Sequence, residues 1–182
     1  EATGYMEYYD LWTESELATH AFGQGLTVTM LQLANAYGAL ANGGILMQPH
    51  IVQEVRHDDD SVTENDPHQI RRVISEDTSS KLTAMLTSAV ENGVANNAQV
   101  DGHYVAGKTG TSQTYKNGAA LKGAGTTITS FCGYGPIDNP KFVVCIKYDR
   151  PRSSEWGAVT AAKTFSKIAD YLFDYYNIPP DK

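Results

Sequence analysis

The amino-acid sequence predicts an α+β domain in which helices cover an antiparallel β-sheet. Three segments repeat their apolar residues at the spacing of a helix face, and three strand segments lie between the second and the third of these helices. The last two strand segments are joined by a short turn rich in proline and asparagine, which indicates a hairpin. This order of elements favours one antiparallel sheet with helices packed against it, within a chain of 182 residues that fits a single domain.

The first helix is predicted over residues 27–42, with Thr27 or Thr29 as its cap. Asn42-Gly43-Gly44 ends it, because glycine adopts the left-handed backbone conformation that closes a helix. A strand-like stretch around Ile51–Val55 follows, and residues 57–67 are predicted to be a polar, acidic loop.

The remaining elements are predicted from the same kinds of signal, which are residues that cap a helix and residues that end it. Ser75 precedes Glu76 and Asp77, which predicts a capped helix that runs to Asn92-Gly93. The predicted strands and the final helix are Tyr104–Gln113, Thr126–Tyr134, Phe142–Tyr148 and Ala158–Tyr176.

Composition and charge exclude several classes of function. The net charge is −7 with no basic stripe, so a nucleic-acid backbone would be repelled and nucleic acid is not an expected partner. No apolar run approaches the roughly 18 residues that span a bilayer, so we expect any targeting signal or membrane anchor to lie outside this chain. The histidines are scattered and the acidic run beside His57 is typical of a solvated turn, so we assign no metal and no cofactor.

The two cysteines lie in the predicted hairpin. If Asp138 and Asn139 are the central turn residues, Cys132 and Cys145 face each other at a distance that a disulfide can bridge. The turn register is uncertain by one residue, and a shift of one residue would separate the pair. We therefore expect free, buried thiols.

One short motif carries chemistry. Gly107-Lys108-Thr109-Gly110-Thr111 lies inside a predicted strand and combines a cation with two hydroxyls, which suits a carboxylate. Gly110 would let a substrate backbone lie close, because it has no Cβ. We reject a P-loop because the motif lies within a predicted strand and no helix follows Thr109. Alone, the triplet is equally compatible with an exposed strand lysine between two threonines that favour strands.

The context of this motif resembles a known family. Residues 22–29 run Phe-Gly-Gln-Gly-Leu-Thr-Val-Thr, residues 31–37 run Leu-Gln-Leu-Ala-Asn-Ala-Tyr, and Ala41-Asn42-Gly43-Gly44 follows. Val105 to Gln113 and the hairpin segment Ser130 to Lys141 come next in order. This arrangement resembles the C-terminal part of the transpeptidase domain of class B penicillin-binding proteins, in which Lys-Thr-Gly-Thr is the third active-site box. The resemblance covers residues 1–182 as one portion of a single β-lactamase/transpeptidase-like domain.

Two of the three boxes of this superfamily are absent. The superfamily carries S-x-x-K, S-D-N and K-T-G, with the first serine as nucleophile. No lysine here has a serine three residues before it, and no serine has an asparagine two residues after it. The expectation is a chain that begins partway through the domain, with the missing N-terminal part as its partner. The resemblance then implies that the strand Phe142–Tyr148 has lost its neighbour and presents an unpaired edge.

The resemblance implies a serine D,D-transpeptidase that cross-links peptidoglycan stem peptides ending in D-Ala-D-Ala and binds β-lactams. Lys108 and Thr111 would be catalytic, the backbone N–H of Thr111 forming half of the oxyanion hole. Thr109, Gly110, Thr111, Ser112 and Gln113 would bind the substrate. The parent protein would be membrane-anchored in a cell-wall synthesis complex on the extracytoplasmic face of the bacterial membrane, while this chain alone would be inactive.

Three alternatives remain open. A serine β-lactamase or a D,D-carboxypeptidase would share the third box, and rapid hydrolysis of the acyl-enzyme would separate these from a transpeptidase. A noncatalytic scaffold would keep the fold without a nucleophile. Whether the parent serves division, elongation or sporulation is not determined by the sequence.

Overall fold

A computed structural model describes residues 3–182 of the chain. Its helices are α1 (Glu14–His20), α2 (Met30–Ala41), α3 (Glu76–Glu91) and α4 (Ala161–Tyr175). Its strands are β1 (Ile45–Met47), β2 (Glu54–Arg56), β3 (Val62–Glu64), β4 (Gln69–Arg72), β5 (Ala106–Gln113), β6 (Tyr115–Lys116), β7 (Ala119–Ala120), β8 (Thr127–Gly135) and β9 (Phe142–Asp149). The three long predicted helices and the three long predicted strands are confirmed, and the short helix α1 is an addition.

The main sheet is antiparallel and has the order β5-β8-β9. Its register places Lys108 opposite Cys132 and Cys132 opposite Cys145. Side chains directly opposite one another share a face of the sheet, so these three lie in one row across it. Alternation along the strands puts Thr109 and Phe131 on the other face.

Helices cover both faces of this sheet. On one face, α4 packs Phe165 and Phe173 into the hydrophobic core, where Phe165 contacts Phe131 with ring centroids 4.5 Å apart. On the other face, Tyr134 is buried, and its hydroxyl oxygen lies 2.8 Å from the hydroxyl oxygen of Thr83 on α3. Burial raises the pKa of the neighbouring Tyr37 on α2 to about 12. The sheet is therefore the central layer of an α+β fold, as predicted.

The helix starts are built from the local signals that the sequence contains. Thr29 accepts a hydrogen bond from the backbone N–H of Gln32, whose side chain accepts one from the Thr29 N–H. This capping box selects Thr29 over Thr27 as the start of α2.

Gly43 and Gly44 follow the helix with φ of 78° and 95°, and a Cβ on Gly44 would overlap the carbonyl of Ile74. Ser75 caps α3 through the N–H of Thr78, as predicted.

Short strands occupy regions where the sequence predicted less order. β1 pairs with β4, β2 pairs with β3, and β6 pairs with β7, all antiparallel. The prediction that residues 57–67 form a loop throughout is wrong, because Val62–Glu64 is strand β3. β2 and β3 are exposed at every position, so they lack the alternation of buried and exposed residues that reveals a strand in a sequence.

The expectation of free thiols is also wrong. Cys132 and Cys145 form a disulfide, and their Cα atoms lie 4.1 Å apart. The physical reason is the hairpin register, since β8 and β9 pair with the two cysteines directly opposite one another. The sequence-based register with Asp138 and Asn139 at the centre of the turn is thereby confirmed.

β9 lies at an edge of the main sheet. Within residues 3–182 its one strand partner is β8, so its other side has no strand beside it. The hydrogen bond from the Arg150 N–H to the Thr127 carbonyl fixes the alternation of the ladder. Accordingly the backbone groups of Val143, Cys145 and Lys147 point away from β8. The predicted unpaired edge is present in the described part of the chain.

Candidate active-site strand

β5 forms the opposite edge of the main sheet, and it carries the Lys-Thr-Gly-Thr motif. The Thr114 N–H donates to the Thr126 carbonyl at 3.2 Å, which marks these two residues as a hydrogen-bonded pair. Such pairs alternate along an antiparallel ladder, so the pairs formed by Thr109, Thr111 and Gln113 are the non-hydrogen-bonded ones. Their backbone N–H and C=O groups therefore point away from β8 toward the open edge.

The ammonium group of Lys108 lies at this edge. Lys108 is exposed, and its Nζ donates to the carbonyl of Thr109 at 3.2 Å and approaches Thr109 Oγ1 at 3.4 Å. Its Cβ is on the α2 and α3 face, whereas Thr109 and Thr111 project from the α4 face. The side chain thus bends over the strand edge and brings a positive charge beside the outward-facing backbone. A cation at this place attracts an anionic group of an extended ligand.

Thr111 is held from the side of α4. Its Oγ1 accepts a hydrogen bond of 3.1 Å from the backbone N–H of Gly157, which lies 46 residues further along the chain. The residue is exposed, so a ligand at the edge has access both to its hydroxyl and to its backbone N–H. An outward N–H can stabilise a developing negative charge on a carbonyl oxygen, which is the chemistry of an oxyanion hole.

Gly110 also makes a packing contact that the sequence analysis did not include. A Cβ built on Gly110 would overlap Ser130 Oγ, its partner on β8, so the space beside it is occupied by a side chain of the protein. A side chain larger than glycine at this position would therefore require the Ser130 hydroxyl to move. Clearance for a substrate backbone stays a prediction.

Ser112 and Gln113 extend the exposed end of β5. The strand is followed at once by the β6-β7 hairpin, whose Tyr115 is 65% exposed. The Leu121 N–H returns to the Thr114 carbonyl at 2.9 Å, which anchors this hairpin at the end of the strand. All five predicted ligand-binding residues therefore lie on one accessible edge, and the hairpin marks its end.

The structure places a loop against the main sheet where the final helix was predicted to begin at Ala158, because α4 starts only at Ala161. Residues 155–160 precede α4 and pack on β5 and β8; we call them the β9-α4 loop. The Thr127 hydroxyl donates to the Glu155 carbonyl at 2.9 Å, and the Gly123 N–H donates to a Glu155 carboxylate oxygen at 3.0 Å. The sequence signal was weak, since a glycine after Trp156 indicates neither a turn nor a motif.

Other features of the described chain lie apart from the candidate strand. A cavity of about 850 Å³ lies between α3 and the β8-β9 turn, and it touches none of the residues from Lys108 to Gln113. Within residues 3–182, no group of three His, Cys, Asp or Glu side chains is arranged to hold a metal ion. In the same range no helix combines the length and the apolar character needed to cross a membrane.

Comparison with known proteins agrees with this geometry. The family model of the penicillin-binding protein transpeptidase domain matches residues 1–170. Stage V sporulation protein D of Bacillus subtilis is 37% identical over 185 residues, which cover 100% of this chain and 28% of the relative. The probable peptidoglycan D,D-transpeptidase PenA of Neisseria meningitidis is 32% identical over 184 residues, covering 100% of this chain and 30% of the relative.

A solved structure gives the same result at the level of the fold. Penicillin-binding protein 3 of Mycobacterium tuberculosis, complexed with aztreonam, superposes with a TM-score of 0.88 at 32% identity, covering 100% of this chain and 43% of that chain. The chain spans less than a third of the length of the two curated relatives described above. Since the family model covers most of its residues and the open strand edge carries the Lys-Thr-Gly-Thr motif, the chain belongs to the penicillin-binding protein transpeptidase domain family.

Proposed function

We propose that this chain is part of a peptidoglycan D,D-transpeptidase and that β5 binds the stem peptide ending in D-Ala-D-Ala. The observation that carries the proposal is the open edge of β5, where an ammonium, two hydroxyls and outward backbone groups lie together. An extended peptide pairs with such an edge through its backbone, while the cation and hydroxyls bind its terminal carboxylate. The name of the PenA relative and the aztreonam in the mycobacterial structure support this assignment.

The proposed reaction has two covalent steps. A serine oxygen adds to the carbonyl carbon of the penultimate D-alanine and its proton passes to a base. The C–N bond then breaks, terminal D-alanine leaves with a proton, and an acyl-enzyme ester remains. An amine of a neighbouring strand attacks the ester, which forms the cross-link amide and returns the serine hydroxyl. The nucleophile is not among these residues in an S-x-x-K context, so it comes from the N-terminal part of the same domain.

The residues of this chain bind and polarise the substrate. Lys108 attracts the carboxylate, and the hydroxyls of Thr109 and Thr111 donate hydrogen bonds to it. The outward N–H of Thr111 stabilises the negative charge on the reacting carbonyl oxygen. Ser112 and Gln113 extend the edge with which the peptide pairs. β-Lactams mimic the peptide and occupy the same edge, and the reaction as written uses neither a metal nor a cofactor.

The remaining partners and the location follow from this proposal. The parent protein is anchored in the cell membrane by a segment outside this chain, and it works in a cell-wall synthesis complex on the extracytoplasmic face, where peptidoglycan lies. The Cys132–Cys145 disulfide supports this location, because disulfides persist in oxidising compartments outside the cytoplasm.

Labelling with a fluorescent penicillin tests the function. In the intact parent protein, Lys108→Ala should lower the acylation rate by about two orders of magnitude, comparable to the loss of one oxyanion-hole donor. The melting temperature should barely change, since an exposed lysine outside special features contributes within about 0.5 kcal/mol. These 182 residues alone should not be labelled.

A matched control is Lys81→Ala on α3, which removes an exposed lysine paired with Asp77 and should label like wild type. Full labelling of the Lys108 variant would remove the third-box assignment, and labelling of the chain alone would show that its nucleophile lies within it. Intact cells treated with a penicillin that does not enter the cytoplasm should be labelled if the domain lies outside the membrane.

A further inference from the structure

The backbone of Gly157 approaches β5 at the residue proposed to bind both the carboxylate and the oxyanion. Its N–H donates to Thr111 Oγ1 at 3.1 Å. A Cβ on Gly157 would overlap the carbonyl of Gly110 and lie 2.8 Å from the carbonyl of Ser130. Real Cβ atoms essentially never come so close to a backbone oxygen. Only glycine allows this loop to lie directly on the two strands.

The contact is fixed on both sides of Gly157. Before it, the Glu155 carbonyl accepts from the Thr127 hydroxyl on β8 at 2.9 Å. After it, the hydroxyl of Thr160 lies 2.9 Å from that of Thr129, and both residues are buried. Thr160 Oγ1 also lies 2.9 Å from the Trp156 carbonyl, which closes the loop on itself. The Gly157 N–H is therefore held in place by hydrogen bonds that do not involve β5.

This contact determines what the Thr111 hydroxyl can do. A hydroxyl has one hydrogen to donate and two lone pairs to accept with. Since Oγ1 accepts from the Gly157 N–H, its own hydrogen is not used in that bond, and within residues 3–182 it has no protein acceptor. The hydrogen is left for a ligand at the open edge. A negatively charged ligand oxygen is the strongest acceptor for it.

We propose that Gly157 is a positioning residue for the carboxylate of the ligand and that it acts through the hydroxyl of Thr111. The inference rests on the proposed function, because it assumes a ligand whose carboxylate binds at β5. Gly157 itself does not touch the ligand. It fixes the distance between the β9-α4 loop and β5 and leaves the Thr111 hydroxyl as a donor.

The test compares two ligands in the intact parent protein: a penicillin with its free carboxylate and the methyl ester of the same penicillin. The measured quantity is the acylation rate constant of the free carboxylate form divided by that of the methyl ester. Gly157→Ala should lower this ratio about 10-fold or more, because a displacement of roughly 1 Å at such a site can cost about 100-fold in rate. Thr111→Val should lower the ratio similarly and Thr111→Ser should keep most of it, since serine retains the hydroxyl.

The double variant identifies the path of the effect. If Gly157 acts through the Thr111 hydroxyl, Gly157→Ala in the Thr111→Val background should change the ratio by less than about 3-fold, since contacting residues that act together are not additive. Gly38→Ala on α2 is the matched control, because a Cβ there meets nothing within 4 Å. Melting temperatures show whether each variant is folded, and Thr111→Val and Thr111→Ser leave the Gly157 packing intact if Gly157→Ala does not fold.

Each outcome bears on one claim. An equal loss of acylation with both ligands in Gly157→Ala would overturn the inference, since it would show a general distortion of the sheet. An additive double variant would overturn it too, as would equal carboxylate preference in Thr111→Val and wild type. If the wild-type parent were acylated by neither ligand, the proposed function would fail instead.

Discussion

Gly110 and Ser130 share one space on the strand that carries the candidate site. Their positions are directly paired, and a Cβ on Gly110 would overlap Ser130 Oγ while lying 3.7 Å from Ser130 Cβ. The first contact requires the Ser130 hydroxyl to move, and the second is ordinary van der Waals contact. A single side-chain oxygen atom on β8 therefore favours glycine at the third position of Lys-Thr-Gly.

We expect Gly110→Ala to destabilise the protein by about 1–3 kcal/mol, the usual cost of inserting a methyl group into packed structure. Ser130→Ala in the same chain should restore most of this loss, because it removes the overlapping oxygen. Chemical denaturation of the two single variants and the double variant measures the coupling. Absence of rescue would show that the clash lies elsewhere. If the double variant is stable but not acylated by penicillin, Gly110 also provides clearance for the substrate.

Two kinds of bond join the strands of the β8-β9 hairpin, namely the ladder of backbone hydrogen bonds and the Cys132–Cys145 disulfide. Cys132 shares its row with Lys108, so the crosslink lies in the same sheet face as the motif lysine. The covalent bond joins residues 13 apart in the chain, a loop short enough that pairing in the sheet already brings the ends together.

Thiol titration after denaturation without reductant should detect no free thiol. Reduction should lower the free energy of unfolding by roughly 2–3 kcal/mol, the loop-closure value for a loop of about this length. A Cys132→Ser, Cys145→Ser double variant is the control, because reductant should leave its stability unchanged. Two titratable thiols in protein kept under oxidising conditions would contradict the disulfide.

At the scale of the whole molecule, the main sheet has two open edges with different chemistry within residues 3–182. β5 exposes the polar edge at which a substrate is proposed to bind, and β9 exposes outward backbone groups without comparable site residues. The two relatives are more than three times as long as this chain, so the rest of the domain is the proposed neighbour of β9. An uncovered edge pairs readily with another chain.

The isolated 182 residues should therefore associate with one another or with an added N-terminal part of the domain. Lys147→Pro should weaken this association, because the Lys147 N–H points outward and its loss leaves the ladder with β8 intact. Sedimentation velocity over a range of concentrations measures the association of the wild-type chain and of the Lys147→Pro variant. A wild-type chain that stays monomeric at high concentration would show that the edge is covered by something else.

The sequence by itself determined the features that depend on neighbours along the chain. The capping box at Thr29, the cap at Ser75 and the apolar spacing of α4 each act within a few residues, so the long helices could be predicted. The hairpin register followed from its turn, and Lys-Thr-Gly-Thr with the segments around it identified the family and the candidate ligand-binding residues.

Only the tertiary structure decided which groups meet across long separations. The Gly157 contact with Thr111 and the overlap of Gly110 with Ser130 join residues 46 and 20 positions apart, and neither leaves a periodic pattern in the sequence. The exposed strands β2 and β3 escaped prediction because neither face is buried. The disulfide depended on a register that one residue would change, and the sheet pairing settled it because β8 and β9 are held in one alignment over their full length.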